Sequence, residues 1–257
     1  MTISPRTGGR PPIKKVVALY AMEAEARPLL GALGWSGEAK ILDPDLPYHF
    51  YEGECFGLRL RVAINGRDPR FGVDAIGTEP AVLHTFLTLR SFRPDLCLNA
   101  GTAGGFSARG GRIGDVFLSS RPTVFHDRRI ALPGFEEYGL GTFSPEDFSE
   151  LGKKIGLKMG QVSTGSSLDC TVTDRARLEA QKSDAKDMEV AAIAWVCQCL
   201  RTPFVALKAI TDIVDGEHPT EEEFLRHLHE ASQKLNEKVF LFLKELGAMQ
   251  FPSLENS

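Results

Sequence analysis

The 257-residue sequence lacks the features of several common protein classes. Lys, Glu or Gly interrupts every apolar run well before the roughly 20 residues that a membrane span needs. The formal net charge of -4 provides no basic excess for binding nucleic acid or an anionic membrane surface. Residues 1–14 have no hydrophobic core, so they do not form a secretory signal. We therefore expect a cytoplasmic protein that binds neither nucleic acid nor a membrane.

Cysteine is scarce, and the patterns of metal and cofactor sites are missing. The five cysteines are odd in number and scattered, and three lie in apolar patterns, so we expect reduced thiols that act as small core residues. The six histidines are dispersed, and His227 and His229 are expected in solvent. The glycines at 101–105 are not followed by Gly-Lys-Ser/Thr and do not match the dinucleotide fingerprint. The sequence therefore predicts no metal and no cofactor.

Strand-like and helical patterns alternate along the chain, which indicates one α/β domain. We expect a flexible leader at 1–14, a domain at 15–250 and a flexible tail at 251–257. The last helix should begin at a capping box of Thr220 and Glu223 and end at Gly247. The predicted strands are 16–20, 48–51, 58–64, 95–99, 115–119 and 204–210; the other predicted helices are 25–33, 77–89 and 187–200; 101–105 and 126–143 are predicted loops.

Three acidic residues stand at positions typical of functional sites. Asp212 follows the apolar strand 204–210, and ligands of open α/β sheets bind at that end of the strands. Glu25 follows the first strand, and Glu189 opens an apolar helix, where a buried carboxylate needs partners. Each also has a structural explanation. Asp212 could be a turn residue after a strand, and Glu25 could be an acid that stabilises the first turn of a helix. Glu189 could simply be a neighbour of Asp187, which would be the N-cap of the helix.

These segments, in this order, resemble the 5′-methylthioadenosine/S-adenosylhomocysteine nucleosidases of the purine nucleoside phosphorylase superfamily. The resemblance spans about residues 14–245. It rests on Ala-Met-Glu-Ala-Glu at 21–25, the segment 99–106, Asp-Met-Glu at 187–189 and Thr-Asp at 211–212. The segments 125–130, 163–165, 167–169 and 212–216 resemble the plant-type members in particular.

The resemblance implies a fold, an activity and a set of site residues. The fold would be a single-domain, three-layer α/β/α structure with a mixed twisted sheet, usually a homodimer whose partner loop closes the pocket. The substrate would be a small nucleoside. Asp212 would protonate N7 of adenine, and Glu25 would activate the attacking water. The implied substrate-binding residues are Thr102, Ala103, Gly104, Leu168, Lys186, Asp187, Met188 and Glu189.

Two alternatives remain open at this point. Phosphorolytic relatives bring arginines to phosphate after the first strand and before the central glycines, where this chain has Glu25 and Asn99. A carboxylate repels phosphate, so hydrolysis is favoured, although Arg67 and Arg128 have no assigned role. The second alternative is a non-catalytic storage or binding relative, which would tolerate loss of the acids.

The chain departs from the plant-type pattern at one position. Ser166 stands where that pattern usually has Asp, which changes the charge of the loop expected beside adenine. The resemblance also leaves open whether S-adenosylhomocysteine is a second substrate. That choice depends on the pocket for the 5′-substituent, which we expect the loop 125–143 and a partner subunit to form.

Overall fold

The structure, a computed structural model, describes residues 12–250. Within these residues, eleven strands and seven α-helices fold together, and a short 3₁₀ helix covers Ser107–Arg109. The strands are β1 Lys15–Tyr20, β2 Lys40–Ile41, β3 His49–Cys55, β4 Leu58–Ile64, β5 Leu96–Gly105, β6 Val116–Ser119, β7 Val124–Phe125, β8 Lys158–Gly160, β9 Val162–Thr164, β10 Ala185–Asp187 and β11 Phe204–Ile213. The helices are α1 Glu23–Ala32, α2 Thr78–Phe92, α3 Glu136–Leu140, α4 Ser149–Lys154, α5 Val172–Gln181, α6 Val190–Leu200 and α7 Thr220–Gln250.

The strands form one mixed, branched sheet in which β5 is central. The main path runs β2-β3-β4-β1-β5-β10-β9-β7, and β11 pairs with β5 and with β6, which in turn pairs with β8. β5 runs parallel to β1 and β11 but antiparallel to β10. Because β1, β5 and β11 are parallel, their carboxyl ends meet at one edge of the sheet. That edge is where the fold places a binding site.

Helices cover both faces of the sheet, as the three-layer prediction expects. Successive residues of β11 alternate between the two layers: Val205 and Leu207 pack in the core beneath α1 and α7, whereas Ala206 and Ile210 pack in the core beneath α2 and α6. No helix within residues 12–250 is long and apolar enough to cross a membrane. The five cysteines are free thiols, two of them buried.

The prediction of a glycine loop at 101–105 is wrong, because β5 continues through all of these glycines to Gly105. Their small size is needed for close packing against neighbouring side chains. A Cβ atom at Gly104 would lie 2.6 Å from Oδ2 of Asp212, and one at Gly105 would lie 2.8 Å from Cγ2 of Ile210. The glycines therefore leave room for the side chains of β11 to pack directly against β5, which continues as a regular strand.

Helix α7 begins at Thr220, as predicted, but its predicted end is wrong. Glu223 bonds to β11, since its Oε2 accepts the N–H of Ile213. Gly247 lies inside the helix, where a Cβ would be 2.0 Å from the carbonyl oxygen of Phe56. His227 is half-buried, and its Nδ1 lies 3.1 Å from the carbonyl oxygen of Thr211. Packing against the rest of the chain explains all three residues.

Two further predictions need correction. Asp187 is the last residue of β10 and not the N-cap of α6, a position that Glu189 occupies. Asp187 still accepts the N–H groups of Glu189 and Val190, so its capping chemistry is as expected. The predicted loop 126–143 contains the short helix α3. Most of the leader and the whole of the tail, residues 1–11 and 251–257, lie outside the described residues.

Candidate active site

A cavity of about 110 Å³ opens at the carboxyl ends of β1, β5 and β11. All ten residues predicted from the sequence line it, together with five others: Ala21, Met22, Ile76, Thr211 and Phe224. Apolar side chains make up much of the wall, and four carboxylates and one lysine supply its charge. Concave, largely apolar sites with a few convergent polar groups are typical of small-molecule binding.

Asp212 lies at one end of this cavity on a bulge in β11. Pairing with β5 shifts register between Ile210 and Asp212, which leaves Thr211 as an extra residue. Oδ1 of Asp212 accepts a hydrogen bond from Thr211 Oγ1 at 2.8 Å, and Oδ2 lies above Gly104. Burial raises the pKa of Asp212 above its ordinary value, while the Thr211 hydrogen bond and Lys186 act in the opposite direction. The group can therefore carry a proton at a higher pH than an exposed Asp.

Glu25 lies towards the other end of the cavity, one turn into α1. Its Oε1 accepts the backbone N–H and the hydroxyl of Thr102, both at 2.7 Å, and its Oε2 accepts the N–H of Met22 at 3.1 Å. These bonds occupy three of the roughly four acceptor sites of a carboxylate, which leaves one for a water or a substrate hydroxyl. The carboxylate of Glu25 is thus fixed in orientation but can still accept one more hydrogen bond.

The backbone of Glu25 is held by α7. Asn236 Nδ2 donates to the carbonyl oxygen of Glu25 at 2.6 Å, and Asn236 Oδ1 accepts the hydroxyl of Tyr20 at 2.7 Å. All three residues are buried. This contact joins residues 211 positions apart. It escaped the sequence prediction because a polar residue within a long helix gives no sign of its partner.

Glu189 and Asp187 share one buried cation, Lys208 of β11. Lys208 Nζ lies 2.9 Å from Asp187 Oδ2 and 3.6 Å from Glu189 Oε2. Oδ1 of Asp187 also accepts a hydrogen bond from Thr164 Oγ1, and Oδ2 accepts two backbone N–H groups. Asp187 therefore anchors the start of α6.

Glu189 keeps capacity for a ligand. Its Oε1 accepts the N–H of Gly77 at 3.1 Å, and its other oxygen faces Lys208. Burial, helped by the nearby carboxylates of Asp187 and Glu25, raises the pKa of Glu189 to about 7, although Lys208 opposes that rise. Glu189 thus titrates near neutral pH.

Lys208 was missed by the sequence prediction, although the pattern carried a signal. It lies inside an apolar strand, two residues from Ala206 and two from Ile210, so it is on the same face of the sheet as these residues, which pack towards α6. A lysine at a core position of a central strand requires buried carboxylates. The order of β10, β5 and β11 decides which carboxylates those are, and the sequence alone does not reveal that order.

Lys186 and Leu168 form the outer wall of the cavity. Lys186 Nζ donates to the carbonyl oxygens of Ser167 and Leu168 at 2.7 and 3.0 Å, so it ties β10 to the loop that follows β9. Burial lowers the pKa of Lys186, while the surrounding acids counteract that effect. Thr102, Ala103 and Gly104 form the floor, and Met188 lies beside Glu189.

The residues expected around the 5′-substituent and on the adenine side occupy a neighbouring groove. Within this chain, Phe125, Asp127, Arg128, Tyr138 and Ser166 line that groove and do not line the cavity. Ser166, the departure from the plant-type pattern, forms a hydroxyl–hydroxyl contact with Thr78 at the start of α2. Ser166 therefore lies outside the cavity wall in this chain.

The residues discussed as possible phosphate ligands lie elsewhere. Asn99 is buried in the sheet, where its Nδ2 donates to the carbonyl oxygen of Leu19. Arg67 bonds to the carbonyl oxygen of Gly72 in its own loop, and Arg128 stacks on Phe125 and Tyr138. Within residues 12–250, no group of three or more His, Cys, Asp or Glu side chains is arranged to hold a metal ion.

Comparison with known proteins gives a consistent set of relatives. The sequence profile of the phosphorylase superfamily matches residues 15–244. A 5′-methylthioadenosine nucleosidase of Arabidopsis thaliana is 46% identical over 218 residues, covering 84% of this chain and 81% of that protein. A 5′-methylthioadenosine/S-adenosylhomocysteine nucleosidase of the same plant is 39% identical over 229 residues, covering 89% of this chain and 90% of that one. The apo structure of the Arabidopsis 5′-methylthioadenosine nucleosidase superposes with a TM-score of 0.88 and 42% identity over 92% of this chain and 97% of that chain.

Proposed function

The chain belongs to the phosphorylase superfamily and, within it, to the 5′-methylthioadenosine nucleosidases, and on that basis we propose that it hydrolyses the N-ribosidic bond of 5′-methylthioadenosine. The products are adenine and 5-methylthioribose. One observation carries the mechanism: Glu25 and Asp212 contact the same strand, β5, at Thr102 and Gly104. Thr102 and Gly104 are two residues apart, which is about 7 Å along an extended strand. That gap accommodates a ribosyl bond with an acid on one side and a water on the other.

Asp212 acts as the general acid. Protonation of N7 turns adenine into a neutral leaving group as the bond to C1′ breaks. An Asp that loses its proton at low pH could not do this near neutrality, and burial raises the pKa of Asp212 towards the required range. The Thr211 hydroxyl holds Oδ1, so Oδ2 is the oxygen that carries the proton.

Glu25 acts as the general base for water. The two Thr102 donors and the Met22 N–H fix both of its oxygens, and the remaining acceptor position on the carboxylate takes the water proton. The water then attacks C1′ on the face opposite to adenine. Fixed carboxylates around the ribose also stabilise the oxocarbenium-like charge of the transition state, because they need no reorganisation as that charge develops.

Glu189 binds the ribose hydroxyls. It is the lining acid that has an oxygen available beside Met188, with Lys208 and the Gly77 N–H holding its orientation. Two vicinal hydroxyls satisfy a buried carboxylate that would otherwise be under-bonded. Thr102, Ala103 and Gly104 bind along the nucleoside, and the backbone at Leu168 contacts the adenine edge.

The charge of the cavity favours water over phosphate as the nucleophile. The described lining contains four carboxylates and one cation, Lys186. Lys186 is already bound to two backbone carbonyl groups, and the buried Lys208 beneath the cavity is already bound to Asp187 and Glu189. A phosphate dianion would meet net repulsion with no free arginine or lysine to offset it.

The same shortage of cations favours methylthioadenosine over S-adenosylhomocysteine. The homocysteine tail carries a carboxylate, which requires a partner when it is buried. The mouth of the cavity supplies Met22, Ile76 and Phe224 instead. We therefore expect kcat/KM to be higher for methylthioadenosine, and kcat/KM values for the two substrates test this preference.

The assembly and location are also part of the proposal. A homodimer is supported by apolar side chains exposed beside the groove, namely Leu83 and Phe86 of α2 and Trp195 of α6. We place the enzyme in the cytoplasm and its reaction in methionine salvage, because 5-methylthioribose retains the methylthio group.

Incubation of the purified protein with methylthioadenosine in phosphate-free buffer tests the central proposal. We expect release of adenine and free 5-methylthioribose at a rate that added phosphate does not raise. Strict dependence on phosphate would identify a phosphorylase. A pure, folded protein that releases no adenine in either buffer would support a non-catalytic relative.

A further inference from the structure

The two peptide groups that flank Asp212 are both held by side chains of α7. The carbonyl oxygen of Thr211 lies 3.1 Å from His227 Nδ1, and the N–H of Ile213 donates to Glu223 Oε2 at 2.8 Å. One bond therefore acts on the peptide before Asp212 and the other on the peptide after it. The planes of these two peptides determine φ and ψ of Asp212 and hence the direction of its Cα–Cβ bond.

The need for such support comes from the bulge in β11. The register shift between Ile210 and Asp212 interrupts the regular pairing with β5 beside the acid. Pairing with β6 covers Leu207 to Ala209 and does not reach Asp212. Side chains from α7 thus supply hydrogen bonds where the regular ladder is weakest.

Glu223 and His227 lie one helical turn apart, so they share one face of α7. Phe224, next to Glu223, is part of the cavity wall. The first turns of α7 therefore contact both the substrate space and the strand that carries the acid. Neither Glu223 nor His227 lines the cavity itself.

Ionisable side chains from two elements and one hydroxyl group surround Asp212. Lys186 approaches from β10, Glu223 and His227 from α7, and the Thr211 hydroxyl from β11. Burial is the largest influence and raises the pKa of Asp212; Thr211 and Lys186 lower it, Glu223 raises it and His227 lowers it. The two α7 residues thus act on the acid in opposite electrostatic directions.

We propose that Glu223 and His227 are positioning residues that orient Asp212 towards the departing base by fixing the two peptide groups on either side of it. The inference rests on the proposed function, because it assigns a geometric requirement to the acid of that reaction. Neither residue needs to touch the substrate. Their effect is transmitted through the backbone of β11.

Substitutions of Glu223 separate hydrogen bonding from charge. Glu223→Ala removes the acceptor for Ile213 N–H, and we expect kcat for methylthioadenosine to fall about 10- to 100-fold with little change in KM, since small misplacements of a catalytic group have effects of that size. Glu223→Gln keeps an acceptor and should restore most of kcat. Glu222→Ala, an exposed neighbour in the same turn, is the matched control and should behave as wild type.

His227 is tested in the same way. His227→Phe removes the donor to Thr211 while keeping a ring, whereas His227→Asn can still donate. We expect kcat to fall in the first variant and to be largely retained in the second. His229→Ala, which alters an exposed histidine of the same helix, is the control.

The pH dependence provides a readout that a purely structural role would not change. Deprotonation of the acid defines the alkaline limb of kcat. Glu223→Gln removes a negative charge that favours the protonated acid, so this limb should move to lower pH. A loss of stability alone would lower the whole profile without this shift.

The outcomes distinguish the two proposals. If wild type releases no adenine from methylthioadenosine, the proposed function fails, and this inference fails with it. If wild type is active but Glu223→Ala and His227→Phe match their controls in kcat, the function stands and the positioning role is refuted. Equal losses in Glu223→Ala and Glu223→Gln, without a shift of the alkaline limb, would also refute it.

Discussion

Lys208 Nζ lies 2.9 Å from Asp187 Oδ2, and both side chains are buried beneath the candidate active site. The ammonium group also lies 3.6 Å from Glu189 and close to Glu25, so one cation serves three carboxylates. It joins the central strand β11 to the junction of β10 and α6. Lys208 Nζ therefore both balances the negative charge of the site and links the strands that form it.

Replacement of Lys208 should be costly for this reason. Lys208→Met leaves the carboxylates of Asp187 and Glu189 buried without a counter-charge, and removal of one partner of a buried pair typically costs about 3–5 kcal/mol. We expect a loss of that size in the free energy of unfolding, measured by urea denaturation. Lys234→Met, which breaks an exposed pair with Glu230 on α7, should cost less than about 1 kcal/mol. Similar losses in the two variants would contradict the role given to Lys208.

Glu189 should make stability depend on pH near neutrality. Its folded-state pKa of about 7 lies above the ordinary 4.5, so the folded protein holds a proton that the unfolded chain has released between these values. The contribution is complete below about pH 4.5 and is lost as the pH rises through 7.

Glu189→Gln tests that dependence. Relative to the variant, wild type should lose on the order of 3 kcal/mol between pH 4.5 and 8, since each pKa unit corresponds to about 1.4 kcal/mol. Urea titrations at several pH values measure the difference, and Glu222→Gln serves as an exposed control. Parallel curves for wild type and Glu189→Gln would show that Glu189 does not titrate as described.

Asp212 should govern the rate rather than binding. We expect Asp212→Asn to lower kcat for methylthioadenosine by about 10²–10⁴-fold, the usual effect of losing a general acid, with KM little changed. Asp215→Asn is a matched control because Asp215 accepts the N–H groups of Ser107 and Ala108 and does not line the cavity. Retention of wild-type kcat by Asp212→Asn, in steady-state assays of adenine release, would eliminate it as the acid.

Gly104 should tolerate no side chain. A Cβ there would lie 2.6 Å from Asp212 Oδ2 and 2.7 Å from Val214 Cγ2, so Gly104→Ala must displace the acid. We expect a fall in kcat of at least about tenfold and a loss of about 1–3 kcal/mol in stability from overpacking. Gly31→Ala, at a helical site with no heavy atom within 4 Å of the new Cβ, should keep full activity and gain up to about 1 kcal/mol. Kinetics and thermal unfolding of both variants decide the matter, and an active Gly104→Ala enzyme would refute the close contact.

Asn236 should matter for both stability and rate. Asn236→Ala leaves the Tyr20 hydroxyl without its buried acceptor and frees the Glu25 carbonyl, with an expected cost of about 1–3 kcal/mol. We expect kcat to fall as well, because the base loses a backbone support. Gln233→Ala, an exposed change one turn earlier, should have neither effect. Unfolding and steady-state kinetics measure the two losses, and a stable, fully active Asn236→Ala enzyme would exclude this support.

The sequence predicted the layers and the lining of the cavity better than it predicted the contacts beneath it. Strands such as β1 and β4 follow from local apolar patterns, and the set of ten lining residues is what the family resemblance implies. Lys208 and Asn236 act through partners that only the tertiary fold brings together. Their local sequence contains no information about which carboxylate or carbonyl they meet.

The errors in element boundaries have a common physical origin. The glycines at 101–105 and Gly247 have the local signature of a loop and a helix end, yet each lies within a regular element where another chain segment approaches closely. Glu223 has the spacing of a capping box but bonds to β11. Tertiary contacts override local preference at these positions, and local pattern alone does not identify them.

Helix α7 contacts the segment that carries the acid and the segment that carries the base at two separate places. Glu223 and His227 bind the strand of the acid, and Asn236, farther along the same helix, binds the backbone of the base. About 20 Å of continuous helix connects these contacts, and a helix of that length changes little in length. The helix therefore keeps the distance between the acid and the base constant. A kink or an inserted residue between the two contacts would put acid and base out of register while leaving every wall residue of the cavity unchanged.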